Sequence, residues 1–126
     1  MMEKQTIAIV GLGRVGSAFL AELLEHPNSG VEIVAVVEQT ETLGKAMARA
    51  SGINIISMAD LLVIGERLDI LFDLTGDPAI RKELRENLRV TKNFHTIVAT
   101  ENIAKMIWTL ISKGDGLPEV HGETGY

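Results

Sequence analysis

Three glycines, Gly11, Gly13 and Gly16, stand as G-L-G-R-V-G directly after the apolar run Thr6 to Val10. Val15, Ala18, Phe19 and Leu23 then recur with the spacing of one helix face. The chain must therefore leave a strand and enter a helix almost at once. Gly11 allows the sharp turn, Gly13 leaves the backbone open to close approach, and Gly16 lets the helix lie against the sheet. Glu38 ends the next apolar run, twenty-two positions beyond Gly16. An acid at that distance completes the pattern of a doubly wound α/β sheet that holds a dinucleotide.

The rest of the chain repeats this alternation. Pro27 and the Asn28-Ser29-Gly30 turn close the first helix, and Val31 to Val37 is a β-branched run, apolar but for Glu32, that suits a strand covered on both faces. Thr40 to Ser51 reads as a second helix, with Gly52 just past its end, and Ile53 to Ile56 as a short third strand. Ser57 to Asp60 is a capping-box variant opening a short helix through Ile64. Asp69 to Leu74 is a fourth strand, and Asp77-Pro78 has the cap and first-position chemistry of the next helix. There Ile80, Leu84 and Leu88 face inward, while Arg81, Lys82, Glu83, Arg85, Glu86 and Arg89 form a solvated face. His95 to Ala99 is the fifth strand and Asn102 to Ser112 the last helix. Strands joined through helices imply right-handed parallel crossovers, hence a Rossmann-type sheet of order 3-2-1-4-5. One domain over residues 1–112 is expected, with 113–126, rich in Gly, Glu and Asp, as a linker or disordered tail.

The spacing assigns chemistry to the first turn. Helix amides beginning near Arg14 aim at phosphates, and Glu38 accepts hydrogen bonds from the adenosine ribose. No Arg or Lys follows Glu38 before Lys45, so NAD is favoured over NADP. Arg14 either lies along the pyrophosphate or is simply solvated, and Val15 follows it in the same turn. S-adenosylmethionine is a lesser alternative, since it too uses a glycine-rich first loop and an acid after the second strand.

Other chemistry finds little support. Seventeen acids against twelve bases give a net charge of −5 without a basic cluster, which disfavours nucleic acid. No apolar run approaches the roughly 18 residues of a membrane span or the core of a signal peptide, so a cytoplasmic protein is expected. Zero cysteines exclude disulfides and thiolate chemistry, and three scattered histidines make no metal site. Asp69 and Asp73 fall at i and i+4 on one strand, as a paired-carboxylate site requires, although capping explains them equally well. No catalytic residue is assigned.

The last helix is too apolar to cover one sheet face alone. Ile103, Met106, Ile107, Trp108 and Leu110 suggest a homodimer contact or the junction to an attached domain, with Trp108 as its anchor; the alternative is a helix buried in the domain's own core.

The segment from Thr6 to about Gly76 resembles the NAD(P)-binding domain of the homoserine and aspartate dehydrogenase group, and more distantly the glucose–fructose oxidoreductase family. The resemblance implies that Thr75 and Gly76 lie beside the nicotinamide ribose, as do Thr100, Glu101 and Asn102 after the fifth strand. It also exposes a departure. Those families carry a lysine after the fifth strand, where this chain has Ile103 under one alignment and Asn102 under the other. The strings F-D-L-T-G-D-P-A-I-R-K-E-L at Phe72 to Leu84 and E-N-I-A-K-M-I-W-T-L-I at Glu101 to Ile111 are similar to nucleotide-binding modules of bacterial sensor and regulator proteins. Two readings follow: an NAD(H)-binding regulatory or redox-sensing module without its own catalytic domain, or the cofactor-binding part of an NAD-dependent oxidoreductase.

Overall fold

A computed structural model describes residues 4–27 and 29–112. Asn28 of the first turn, and the tail expected from residue 113, lie outside the described residues. Five parallel strands, β1 (Gln5–Val10), β2 (Val31–Val37), β3 (Asn54–Ile55), β4 (Ile70–Asp73) and β5 (Ile97–Ala99), form one sheet of order β3-β2-β1-β4-β5. The expected order is the observed one. Five helices connect and cover it: α1 (Arg14–Leu24), α2 (Leu43–Ala50), α3 (Met58–Ile64), α4 (Pro78–Val90) and α5 (Glu101–Ile111).

The starts of α2, α3 and α4 are set by side chains that satisfy otherwise unpaired first-turn amides. Ser57 Oγ accepts from Asp60 N at 3.1 Å, and Asp77 Oδ1 accepts from Ala79 N at 2.9 Å with Pro78 next in the chain. In α2 the cap is Thr42, whose Oγ1 accepts from Lys45 N at 3.1 Å, so this helix begins later than the expected Thr40. Strand ends were also over-extended: β3 keeps only Asn54 and Ile55, and β5 begins at Ile97 because Asn93 and Thr96 form a buried side-chain-bonded turn before it.

Two apolar layers sandwich the sheet. On one side Phe19 and Leu20 of α1, Ala48 of α2, and Ala104 and Trp108 of α5 pack with Ile7, Ile9, Val36 and Phe72. The rings of Phe19 and Phe72 meet at 4.9 Å in a tilted arrangement. On the other side Leu61, Leu68 and Leu84 cover Ala8, Val10, Val37 and Leu71. β2 is fully buried only from Ala35 to Val37; its first half is partly covered, because two-residue β3 shields so little of it.

α5 corrects an expectation. Trp108 and Ala104 point into the chain's own core, and Ile107 packs partly against it, so Trp108 is no anchor for a partner. The apolar residues that α5 exposes are Ile103, Met106 and Leu110.

Candidate functional site

Because the chain runs from β1 out to β3 and then returns to β4, neighbouring connections leave the sheet in opposite directions at β1 and β4. Ligands of open α/β sheets sit outside the carboxyl ends of the strands at that reversal. Four connected pieces of backbone meet there.

The glycine loop comes first. Gly11 has φ +98°, and a Cβ on it would stand 2.9 Å from Thr75 N, so the turn is pressed against the chain leaving β4. A Cβ on Gly16 would lie 2.0 Å from Gly11 O. Both glycines are thus required by contact, and Gly11 by conformation as well. Gly13 caps α1, so no side chain covers the first-turn amides of that helix, in contrast to α2, α3 and α4. This glycine-lined, side-chain-free helix start fits the phosphates of a dinucleotide. Arg14 beside it is exposed, whereas the Val15 side chain is buried in the core, leaving only its backbone to the site.

Glu38 is joined to this loop directly. Its Oε1 accepts from Leu12 N at 2.6 Å and its Oε2 from Thr40 N at 3.1 Å. The acid is held beside the glycine turn and steadies the turn itself. Lys45, the first cation after it, lies 3.6 Å from Glu41.

The β4 end supplies a third piece that the sequence reading missed. Asp73 is fully buried. Its Oδ1 accepts from Thr75 N at 3.1 Å and Thr75 Oγ1 at 2.7 Å, while Arg81 Nε donates to Oδ2 at 3.2 Å. Thr75 Oγ1 in turn accepts from Asp77 N at 3.0 Å, which pins the turn containing Gly76. Arg81 Nη2 donates to Glu101 Oε1 at 3.1 Å, tying the start of α4 to the start of α5. Arg81 therefore leaves the solvated face assigned to it: a buried carboxylate requires a cation, and the first turn of α4 delivers one. Burial works against the guanidinium's charge, but Glu101 and Asp73 outweigh it and hold its pKa above the ordinary value. A strand-end acid followed by Pro and then Arg in the next helix's first turn was the available signal.

Thr100 and Asn102 flank Glu101 at the α5 start, Thr100 half-buried and Asn102 exposed. Glu38, the glycine loop, Thr75 and Glu101 thus form one line of contacts across the carboxyl edge from β2 to β5. Asp69 and Asp73 do not make a pair. Asp69 precedes β4, about 13 Å away along the strand, and its Oδ2 accepts from Thr6 N at 2.9 Å while His95 Nε2 lies 2.6 Å from Oδ1. Among the described residues no group of three His, Cys, Asp or Glu side chains is arranged to hold a metal, and no helix is long and apolar enough to cross a membrane.

Fold and site together define a dinucleotide-binding Rossmann-type domain. The homoserine dehydrogenase NAD-binding domain profile matches residues 11–104, about three quarters of the chain, and the chain belongs to that family. Its cofactor class is a nicotinamide dinucleotide. Among solved structures, S. aureus homoserine dehydrogenase is similar with a TM-score of 0.55 at 20% identity, over 90% of this chain and 30% of that one. A myo-inositol dehydrogenase from Corynebacterium glutamicum gives 0.52 at 19% identity, over 75% of this chain and 27% of that one. GenD2 from gentamicin A biosynthesis, solved in complex with NAD, gives 0.55 at 17%, over 79% and 35%. The chain thus spans about a third of the length of these proteins. No curated protein sequence matches it significantly.

Proposed function

We propose that this chain is an NAD(H)-binding module that acts in regulation or redox sensing and carries no catalytic centre of its own. One observation carries the reading: Glu38 is bonded to the glycine loop, which packs against the Thr75 turn, while the chain after β5 offers Asn102 and Ile103, both exposed, where the resemblance calls for a lysine. The cradle would take the pyrophosphate on the first-turn amides of α1 and the adenosine ribose on Glu38. Thr75, Gly76, Thr100, Glu101 and Asn102 would border the second nucleotide.

NAD is proposed over NADP. A 2'-phosphate would meet the Glu38 carboxylate, and the nearest following cation, Lys45, is engaged with Glu41. The partner surface is proposed on the exposed stripe of Ile103, Met106 and Leu110, which recur three and four residues apart on α5 and would pack against a second copy or an attached domain.

A second reading is supported by the family and by length. Relatives of this fold are about three times longer, so the module would also suit the cofactor-binding part of an oxidoreductase whose substrate site lies elsewhere. Calorimetric titration with NAD+, NADH, NADPH and S-adenosylmethionine, with oligomeric state recorded before and after, separates the readings. Unequal affinity for the two redox forms, or a ligand-dependent change of assembly, supports the sensor. Equal binding without such a change supports the oxidoreductase part, and binding of none removes both.

A further inference from the structure

The sheet ends at β5, whose outer edge is open among the described residues. Each outward step in a parallel sheet turns in the right-handed sense. The step from β4 to β5 runs through α4, which lies with Leu84 in the layer on one face, whereas α5 lies with Ala104 and Trp108 in the layer on the other. A right-handed step beyond β5 would need its helix on the face of α4, so α5 does not lead a sixth strand to this edge. Ile97 N donates to Asp69 O at 3.0 Å, so the backbone groups of Ile97 face β4 and, by alternation, the N–H and C=O of Val98 face outward. β5 carries none of the Pro, Lys or bulge features that guard an edge.

The two sides of this edge differ in character. Ile97 shares the direction of Ala99, which packs in the layer with α5, and it is 62% exposed. On that side α5 has α1 as its inner neighbour and exposes Ile103, Met106 and Leu110, with Lys105 the one charged residue from Asn102 to Ser112. The opposite side belongs to α4. Arg81 reaches Glu101 beyond the end of β5, so the flank of α4 that carries it, with Arg85 and Arg89 following at four-residue intervals, is the one beside the edge. A groove there is lined by Arg81, Lys82, Arg85, Glu86 and Arg89. Five of the chain's twelve Lys and Arg fall within residues 78–92 against two acids, in a chain whose net charge is −5. Arg81 and Arg89 already meet carboxylates, and Arg85 stands exposed between them.

We propose that the β5 edge receives an extended segment of another polypeptide in which acidic and apolar residues alternate. Such a strand would exchange backbone bonds with Val98, turn its apolar residues toward Ile97 and α5, and turn its acidic residues toward Arg85 on α4. β5 is short, so the flanking side chains supply most of the selectivity. A second copy of this chain does not fit. Strands lie about 4.8 Å apart, and pairing β5 with itself would bring the two arginine flanks of α4 against each other. The inference rests on the α5 partner surface proposed above for its apolar side, gives that surface a definite partner chemistry, and is independent of the dinucleotide.

The test is fluorescence anisotropy of labelled synthetic peptides of about six residues, the common strand length, one alternating Glu with Val and the other Lys with Val. The wild-type chain should bind the Glu peptide about ten-fold more tightly than the Lys peptide, the scale of a few exposed charge pairs, and the ratio should fall as salt is raised. Arg85→Glu should bring the ratio to about one. Val98→Pro removes an outward N–H while sparing the ladder to β4, and should weaken the Glu peptide about ten-fold. Ile97→Asp, on the exposed apolar side, should do the same and serves if the proline variant does not fold. Equal binding of the two peptides, binding of neither, or a ratio unchanged in Arg85→Glu would overturn the inference. So would a wild-type dimer that Val98→Pro dissociates, which would give the edge to a second copy. Titration of the same samples with NAD+ reads the cofactor site separately: its failure alone would overturn the dinucleotide reading and leave this one standing.

Discussion

At Gly16 there is no room for a methyl group, because the atom it would strike, Gly11 O at 2.0 Å, belongs to backbone that is itself wedged against Thr75. Gly16→Ala is expected to cost about 2–3 kcal/mol in urea unfolding, as overpacking against rigid neighbours does, and to abolish NAD binding in titration. Retained affinity would show that the loop can move away from β4. A second residue acts through pH. Hydrogen bonds from Thr6 N, then the His95 contact, hold the Asp69 carboxyl below its ordinary pKa. A depressed acid contributes stability that is full at neutral pH and is lost as pH falls through its folded-state value. Asp69→Asn should therefore be less stable than wild type at pH 7, and the gap should close in unfolding experiments below about pH 4. The glycine turn and the place of Glu38 beside it were legible in the sequence, since each follows from a missing Cβ or from a fixed spacing after a strand. The Asp73–Arg81 pair was not. Asp73 reads as a strand residue and Arg81 as one charge in a helical run until the two elements meet in space.

At the scale of elements, one close helix contact was silent in the sequence. Gly44, in the first turn of α2, faces α1 so closely that a Cβ there would lie 2.3 Å from Ser17 Oγ and 3.0 Å from both Leu12 Cβ and Ser17 Cα. Ser17 Oγ cannot swing away without loss, because it donates to Leu12 O at 2.8 Å. Gly44→Ala would gain helix propensity of about 1 kcal/mol, yet the clash should exceed that gain and leave a net destabilisation of about 1–2 kcal/mol by denaturant titration. A stabilised variant would mean the α1–α2 contact yields freely. α5 gives the complementary lesson. Its composition suggested a helix too apolar to cover one sheet face alone, and counting apolar residues could not say which side faced inward. Ala104 is small enough to bring the helix onto the sheet, and Trp108 one turn later fills the space beside α1; these two residues, four apart, decide which stripe remains outside.

For the whole molecule, the site and the fold share their supports, so ligand and stability must be linked. Glu38 bonds Leu12 N, Asp73 and Thr75 lock the β4 exit, and Arg81 joins α4 to α5. A ligand that binds only this assembled arrangement stabilises it by about 2.7 kcal/mol at a free concentration one hundred times its Kd. For a domain of this size that corresponds to a rise in Tm of about 10 °C. NAD should produce that shift by scanning calorimetry. Glu38→Ala complicates a simple comparison, because it removes a support of the glycine turn as well as the proposed ribose contact and should lower the baseline Tm. The informative quantity is the ligand-induced increment: at the same NAD concentration it should shrink in Glu38→Ala, whereas any increment from inorganic phosphate, which the proposal places on the helix amides alone, should change less. If Glu38→Ala lowers the baseline Tm but keeps the full NAD increment, Glu38 is a structural strut of the turn alone, and the ribose must be held elsewhere.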